Sequence, residues 1–139
     1  LAGMGTTVSG FVRVGDRLAL AHIGDSRVYR WRDGTLTQMT KDHTFVQRLV
    51  DSGRITAEEA AVHPRRSVLM RVLGDVELSP EIDIEVLDTR PGDRWVLCSD
   101  GLSGFVEEER IGELLDEYPD ASAAVDALIE GSLDHGAPD

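Results

Sequence analysis

Alternation of apolar and polar residues governs the first third of the chain. Arg17 to Ile23 puts Leu18, Leu20 and His22 on one face, the period-two pattern of a half-buried strand. Thr7 to Val14 is a β-rich run before it, and Gly15-Asp16 is the turn dipeptide between them. Gly24-Asp25-Ser26 breaks the pattern, and Val28-Tyr29-Arg30-Trp31 resumes it. Asp33-Gly34 is the strongest hairpin signal, because a type I′ turn needs positive φ at both central residues. This half reads as an antiparallel meander.

The period then lengthens. Phe45, Val46, Leu49 and Val50 share one helix face, with Gly53 as the stop. Thr56 and Glu59 form a capping box for a second short helix, which ends at His63-Pro64 because a residue before proline avoids the α region. A third apolar segment, Val68 to Leu73, closes at Gly74. Ile82, Ile84 and Val86 alternate with Asp83, Glu85 and Leu87, and Pro91-Gly92-Asp93 turns the chain into Arg94 to Cys98. That reads as a second hairpin whose apolar second strand is central to its sheet. Glu107 to Glu109 suit a helix start ahead of Ile111, Leu114 and Leu115. After Pro119, residues Ala124, Val125, Leu128 and Ile129 predict one more one-sided helix. Strands, helices, strands and helices in that order give an α+β class, with a sheet layer covered by helices.

Composition narrows the function. A chain of 139 residues is the size of one domain, and 41% apolar residues suffice for a packed core. A net charge of −12 argues against nucleic acid or an anionic lipid surface as the main partner. One cysteine, Cys98, allows no internal disulfide and no zinc cluster, which favours a reducing compartment. No signal peptide or spanning segment is visible. The chain begins at Leu1, the expectation for a piece of a longer protein.

The candidate chemistry lies in four aspartates that sit where a strand gives way to a turn or where the chain stops: Asp25, Asp42, Asp100 and Asp139. Asp100 follows the apolar run Trp95-Val96-Leu97-Cys98 and precedes Gly101; Asp25 follows a half-buried run and Gly24. A carboxylate at the end of a strand, beside a glycine, can face a metal without crowding. Hard carboxylates without a cysteine or histidine cluster suit Mg²⁺ or Mn²⁺. Taken singly, each Asp-Gly pair is only a turn.

Taken together, the segments carry more. Gly3-Met4-Gly5-Thr6-Thr7, His22-Ile23-Gly24-Asp25-Ser26-Arg27, Thr40-Lys41-Asp42-His43-Thr44, Arg71-Val72-Leu73-Gly74 and Cys98-Ser99-Asp100-Gly101-Leu102 resemble, in order, the motifs of the metal-dependent protein phosphatases of type 2C. The wording is similar to the bacterial serine/threonine branch, and Gly136-Ala137-Pro138-Asp139 resembles the start of its last metal motif. The resemblance implies an antiparallel β-sandwich flanked by helices on both faces, a four-layer αββα fold. It implies hydrolysis of phosphoserine and phosphothreonine monoesters on proteins, serine/threonine kinases among them, in the cytoplasm or in a cytoplasmic domain, with no nucleic acid and no direct membrane contact. It implies a binuclear Mg²⁺ or Mn²⁺ centre with a third ion. Asp100 matches the aspartate that ligates the metals, Asp139 the one that completes the first metal's shell, and Asp25 the one that helps hold the third ion. Asp100 and Asp139 are thereby the catalytic candidates. Residues 45–74 match a flap beside the active site, where Arg65, Arg66 and Ser67 are candidates to meet a phosphopeptide. Such a centre suits the reaction: two ions about 3.5–4 Å apart neutralise phosphoryl oxygens and activate water against a dianionic ester.

The resemblance also implies an omission. The family's phosphate-binding arginine and the aspartate-glycine pair that bridges its metals lie upstream of the region matching Leu1. This chain alone is therefore expected to hold part of the metal shell, to turn over poorly, and to leave unpaired strand edges and an exposed apolar face. The other polar residues have plainer readings: His22 as a buried histidine satisfied by backbone, His43 as a turn or cap element, Cys98 as core, Arg27 and Arg71 as ion-pair partners. A catalytically inactive binding or regulatory module on the same fold is the alternative function. A two-carboxylate glycoside hydrolase also accommodates acids in a cleft, but does not explain why they are aspartates beside glycines.

Overall fold

In chain order the elements are β1 (Val8–Val14), β2 (Arg17–Ile23), β3 (Arg27–Arg32), β4 (Thr35–Gln38), α1 (Phe45–Asp51), α2 (Ala57–Ala61), β5 (Asp83–Asp88), β6 (Arg94–Cys98), α3 (Asp100–Ser103), α4 (Glu108–Glu117) and α5 (Ala121–Asp134). The computed structural model describes residues 3–74 and 80–138. It divides into two units, Leu1–Ser26 with Lys41–Asp88, and Arg27–Thr40 with Thr89–Asp139. Each unit carries one three-stranded antiparallel sheet together with helices, so the α+β class holds.

The first unit orders its strands β1-β2-β5. Leu18, Leu20 and His22 are buried on one face of β2, as their alternation requires. The opposite face is apolar and open. Val12 pairs with Ala19 and Ala19 with Val86, while Ala21 pairs with Ile84; Val12, Ile84 and Val86 are exposed at 66%, 74% and 60%. Alternation states which residues share a face and leaves open which face is covered, so the apolar side of β5 is the solvent-facing one. The expected exposed apolar face is thus present. The 139-residue chain by itself is expected to self-associate through it. Val12→Lys with Ile84→Lys should shift its sedimentation towards monomer without lowering the melting temperature.

The same segments correct two readings of pairing. The first half is not one meander: β2 pairs with β1 and β5, and β3 with β4 and β6. Gly24-Asp25-Ser26 carries the chain from one sheet to the other. Nor do β5 and β6 form a hairpin, since they belong to different sheets, and β6 is an edge among the described strands. Turn chemistry and strand propensity are local, whereas the choice of partner strand is not.

The second unit orders its strands β4-β3-β6. Asp33 and Gly34 both take positive φ, +49° and +77°, as the type I′ turn between β3 and β4 demands. Tyr29 of β3 joins Val106, Ile111, Leu114, Leu115, Ala124 and Leu128 in the buried cluster, with Cys98 packed against it. On α5 the buried stripe is Ala124, Leu128 and Ser132. Val125 and Ile129 of the anticipated face are instead about half exposed, because the helix turns a narrower stripe inward than its composition offers.

One ion pair fastens the second sheet to the turn before β6. Arg32 Nε and Nη2 donate to Asp93 Oδ1 and Oδ2 at 2.8 and 2.6 Å, and the Arg90 backbone N–H donates to Oδ2 at 2.8 Å. The Asp93 side chain is nearly sealed from solvent. These bonds, the arginine's first, hold its carboxyl down at about 2. A depressed carboxyl stabilises the fold above its unfolded pKa, and that stability is lost as pH falls from about 4 towards 2. Asp93→Ala, which leaves the partly buried Arg32 guanidinium without its carboxylate, should cost roughly 2 kcal/mol. Thermal melts at neutral pH test this, and the difference from the parent should shrink at pH 2–3.

Candidate functional site

Of the three aspartates that the resemblance matches to metal ligands, two fall within the described residues, one in each unit; Asp139 lies outside them. Asp100 is the first residue of α3, directly after β6. Ser99 is the N-cap and accepts the Gly101 N–H on its hydroxyl at 3.3 Å. The Asp100 carbonyl accepts the Gly104 N–H at 2.9 Å, and Ser132 of α5 donates its hydroxyl to the Gly101 carbonyl. The backbone beneath the carboxylate is therefore held from both sides, while the residue itself is exposed.

Asp25 follows β2 through Gly24, whose φ of +105° only glycine tolerates. A Cβ on Gly24 would lie 2.4 Å from Thr7 Cγ2 and 3.1 Å from Thr7 Cα, so the turn also needs glycine for its close approach to Thr7. Thr7 Oγ1 and Ser26 Oγ are 2.7 Å apart, and Ser9 Oγ lies 3.2 Å from the Ser26 carbonyl. Ser9 Oγ also lies 2.7 Å from His22 Nδ1, and His22 Nε2 donates to the Lys41 carbonyl at 2.9 Å. Burial, the main cause, lowers the His22 pKa below its ordinary value. The ring is accordingly a neutral structural strut at pH 7, in agreement with the reading from sequence.

His43 adds a second clasp. Its backbone N–H donates to the Gly24 carbonyl at 2.8 Å, and its Nδ1 accepts the Gly24 N–H at 3.1 Å. Its Nε2 lies 2.7 Å from Asp83 Oδ2. Sequence reasoning placed His43 only as a turn or cap element; Thr44 is the cap of α1, and His43 reaches back across the sheet end. Thr7, Ser9 and Asp83 were missed as partners of this turn. Their role depends on contacts between segments far apart in the chain, which no local pattern marks.

Residues 45–74, the segment expected to form a flap, are tied together at their two ends. Phe45 N–H donates to the Val68 carbonyl at 3.0 Å, Met70 N–H to the His43 carbonyl at 2.8 Å, and Leu73 bridges Thr6. Within it, α2 carries the capping box of Thr56 and Glu59. Arg65, Arg66 and Ser67 lie together in an exposed turn after α2. The Arg65 guanidinium stands 5.9 Å over the Phe45 ring, and Arg66 Nη1 donates to the His63 carbonyl at 3.1 Å. Arg71 pairs with Glu81 and Asp83, and Arg27 with Glu108, as ion-pair partners should.

The donor chemistry at Asp25 and Asp100 is carboxylate oxygen on backbone that is already bonded, which fits a hard divalent cation. Among the described residues, no group of three or more His, Cys, Asp or Glu side chains is placed to hold a metal ion. Among the same residues no helix is long and apolar enough to cross a membrane.

Comparison with known proteins follows the same lines. A family model described as protein phosphatase 2C matches residues 1–133. The serine/threonine protein phosphatase PstP of Mycobacterium tuberculosis is 52% identical over all 139 residues, which span 26% of its length. The crystal structure of that phosphatase superposes with a TM-score of 0.92 at 52% identity, covering all of this chain and 58% of the solved one. A second structure, the PstP catalytic domain in complex with two manganese ions, superposes with a TM-score of 0.86 at 50% identity, covering all of this chain and 56% of that domain.

Proposed function

The chain belongs to the protein phosphatase 2C family, and from that membership we propose that its protein is a metal-dependent serine/threonine phosphatase acting on phosphorylated proteins. The observation that carries this reading is the 52% identity to PstP over every residue of the chain, at a TM-score of 0.92.

In this reading Asp100 and Asp139 hold the two catalytic ions and Asp25 helps hold a third, each ion being Mg²⁺ or Mn²⁺. The ions supply charge neutralisation for the phosphoryl oxygens and an acidified water. The chain's own part is to hold carboxylates still. Asp100 rides on a capped helix start fixed to α5 through Ser132, and Asp25 on a turn closed by Thr7, Ser9 and His43. Arg65 and Arg66 offer exposed cations on the flap segment, suited to a phosphopeptide's charge. The partners are phosphoproteins, serine/threonine kinases among them, in the cytoplasm or a cytoplasmic domain. The chain spans about a quarter of the length of PstP, so turnover is assigned to the full-length gene product. A catalytically silent binding module on the same fold is the competing reading, and the retained Asp25 and Asp100 disfavour it.

The test compares the 139-residue chain with the full-length gene product on a phosphothreonine peptide in Mn²⁺. Phosphate release by the longer protein, with little from the shorter, supports the proposal. A full-length protein that is folded and binds Mn²⁺ but releases no phosphate would make it a binding module.

A further inference from the structure

Pairing between β1 and β2 ends at Val8 and Ile23, and pairing between β2 and β5 ends at His22 and Asp83. Gly24 therefore lies beyond both ladders, yet it is buried and its backbone groups must find partners. One residue supplies both. The His43 N–H bonds the Gly24 carbonyl and the His43 ring accepts the Gly24 N–H, so His43 extends the sheet by one pseudo-pair at the point where Asp25 leaves it. With Nδ1 an acceptor, the ring proton sits on Nε2, which donates to Asp83 Oδ2 at 2.7 Å. Asp83 is the terminal paired residue of β5 and also faces Arg71 Nη1 at 3.5 Å. His43 is 8% exposed, so water does not substitute for these bonds.

We propose that His43 is a positioning residue for Asp25, bonding both backbone groups of Gly24 and so fixing the turn that aims the Asp25 carboxylate. The proposal rests on the assignment of Asp25 as a metal ligand. A histidine clasp of this kind sets the carboxylate's direction without touching the ion. Its loss should weaken the ion held at Asp25, by the 10- to 100-fold typical of outer partners, and spare the ions held elsewhere. His43→Asn keeps an acceptor near the Nδ1 position and loses the reach to Asp83, so it should restore most of the binding. Asp83→Asn keeps an acceptor for Nε2–H and should lie near the parent.

The experiment uses the full-length gene product and two readouts: hydrogen exchange over Gly24–Ser26 by mass spectrometry, and a Mn²⁺ binding isotherm by electron paramagnetic resonance. Melting temperature is recorded beside them. Faster exchange at this turn in His43→Ala, with about 10-fold or greater weakening of the weakest Mn²⁺ site and recovery in His43→Asn, is the expected result. If His43→Ala does not fold, the Asn variant carries the comparison and should show partial losses in both readouts. Unchanged exchange at the turn overturns the proposal whatever the metal does, as does faster exchange with an unchanged isotherm. Asp25→Asn separates the premises. If it leaves the isotherm intact, Asp25 is not a ligand and the proposal fails with that assignment; if it removes the weakest site while His43→Ala does not, His43 alone was misread.

Discussion

Asp100→Asn is expected to reduce phosphate release by the full-length gene product at least about 100-fold while leaving the fold unchanged. Asparagine matches aspartate in shape but removes the negative charge that a hard divalent ion requires. A lost ligand withdraws several kcal/mol of charge stabilisation from the reaction, and each 1.36 kcal/mol is tenfold in rate. The surroundings predict little structural cost. Asp100 is exposed, its carbonyl still receives the Gly104 N–H, and Ser99 still caps α3. Phosphate release at saturating Mn²⁺, read beside circular dichroism melts, checks both halves. Activity near the parent's would remove Asp100 from the centre.

Gly24→Ala should be the most damaging single methyl group in the first unit. The new Cβ would lie 2.4 Å from Thr7 Cγ2, 2.6 Å from its Cβ and 3.1 Å from its Cα, so rotating the threonine does not relieve the clash. The φ of +105° adds backbone strain that alanine cannot relax without breaking the bonds to His43. Strain of about 1–3 kcal/mol and overpacking of a similar size together give roughly 4 kcal/mol. For a domain this large that is a melting-temperature drop of roughly 10–15 °C. Gly10→Ala is the matched control, because nothing lies within 4 Å of a Cβ there; its melt should stay close to the parent's. Equal melts for the two variants would mean that the turn at Asp25 yields easily.

The parts of the fold written in local chemistry were legible from sequence. Asp33-Gly34 gave its turn, Thr56 and Glu59 their capping box, and Leu18, Leu20 and His22 their buried face. What was not legible depends on distant partners. Nothing in Ile84 and Val86 says whether their face is covered, and nothing in Arg94 to Cys98 names β3 rather than β5 as its neighbour. The site divides the same way. Asp25 and Asp100 stood out because each ends a strand beside glycine, a short-range signal. The hold on Asp25 by Thr7, Ser9, His43 and Asp83 is spread over residues far apart in the chain, and only the folded backbone assembles it.

The most direct test of the metal-dependent phosphatase assignment is reversal of activity by metal removal and return. Phosphate release from a phosphothreonine peptide by the full-length gene product would be followed in Mn²⁺, after chelation and dialysis, and after Mn²⁺ is restored. The account predicts strong release, then almost none from a still-folded protein, then recovery. Release that persists in the chelated protein, or a folded, Mn²⁺-loaded protein that never releases phosphate, would contradict it.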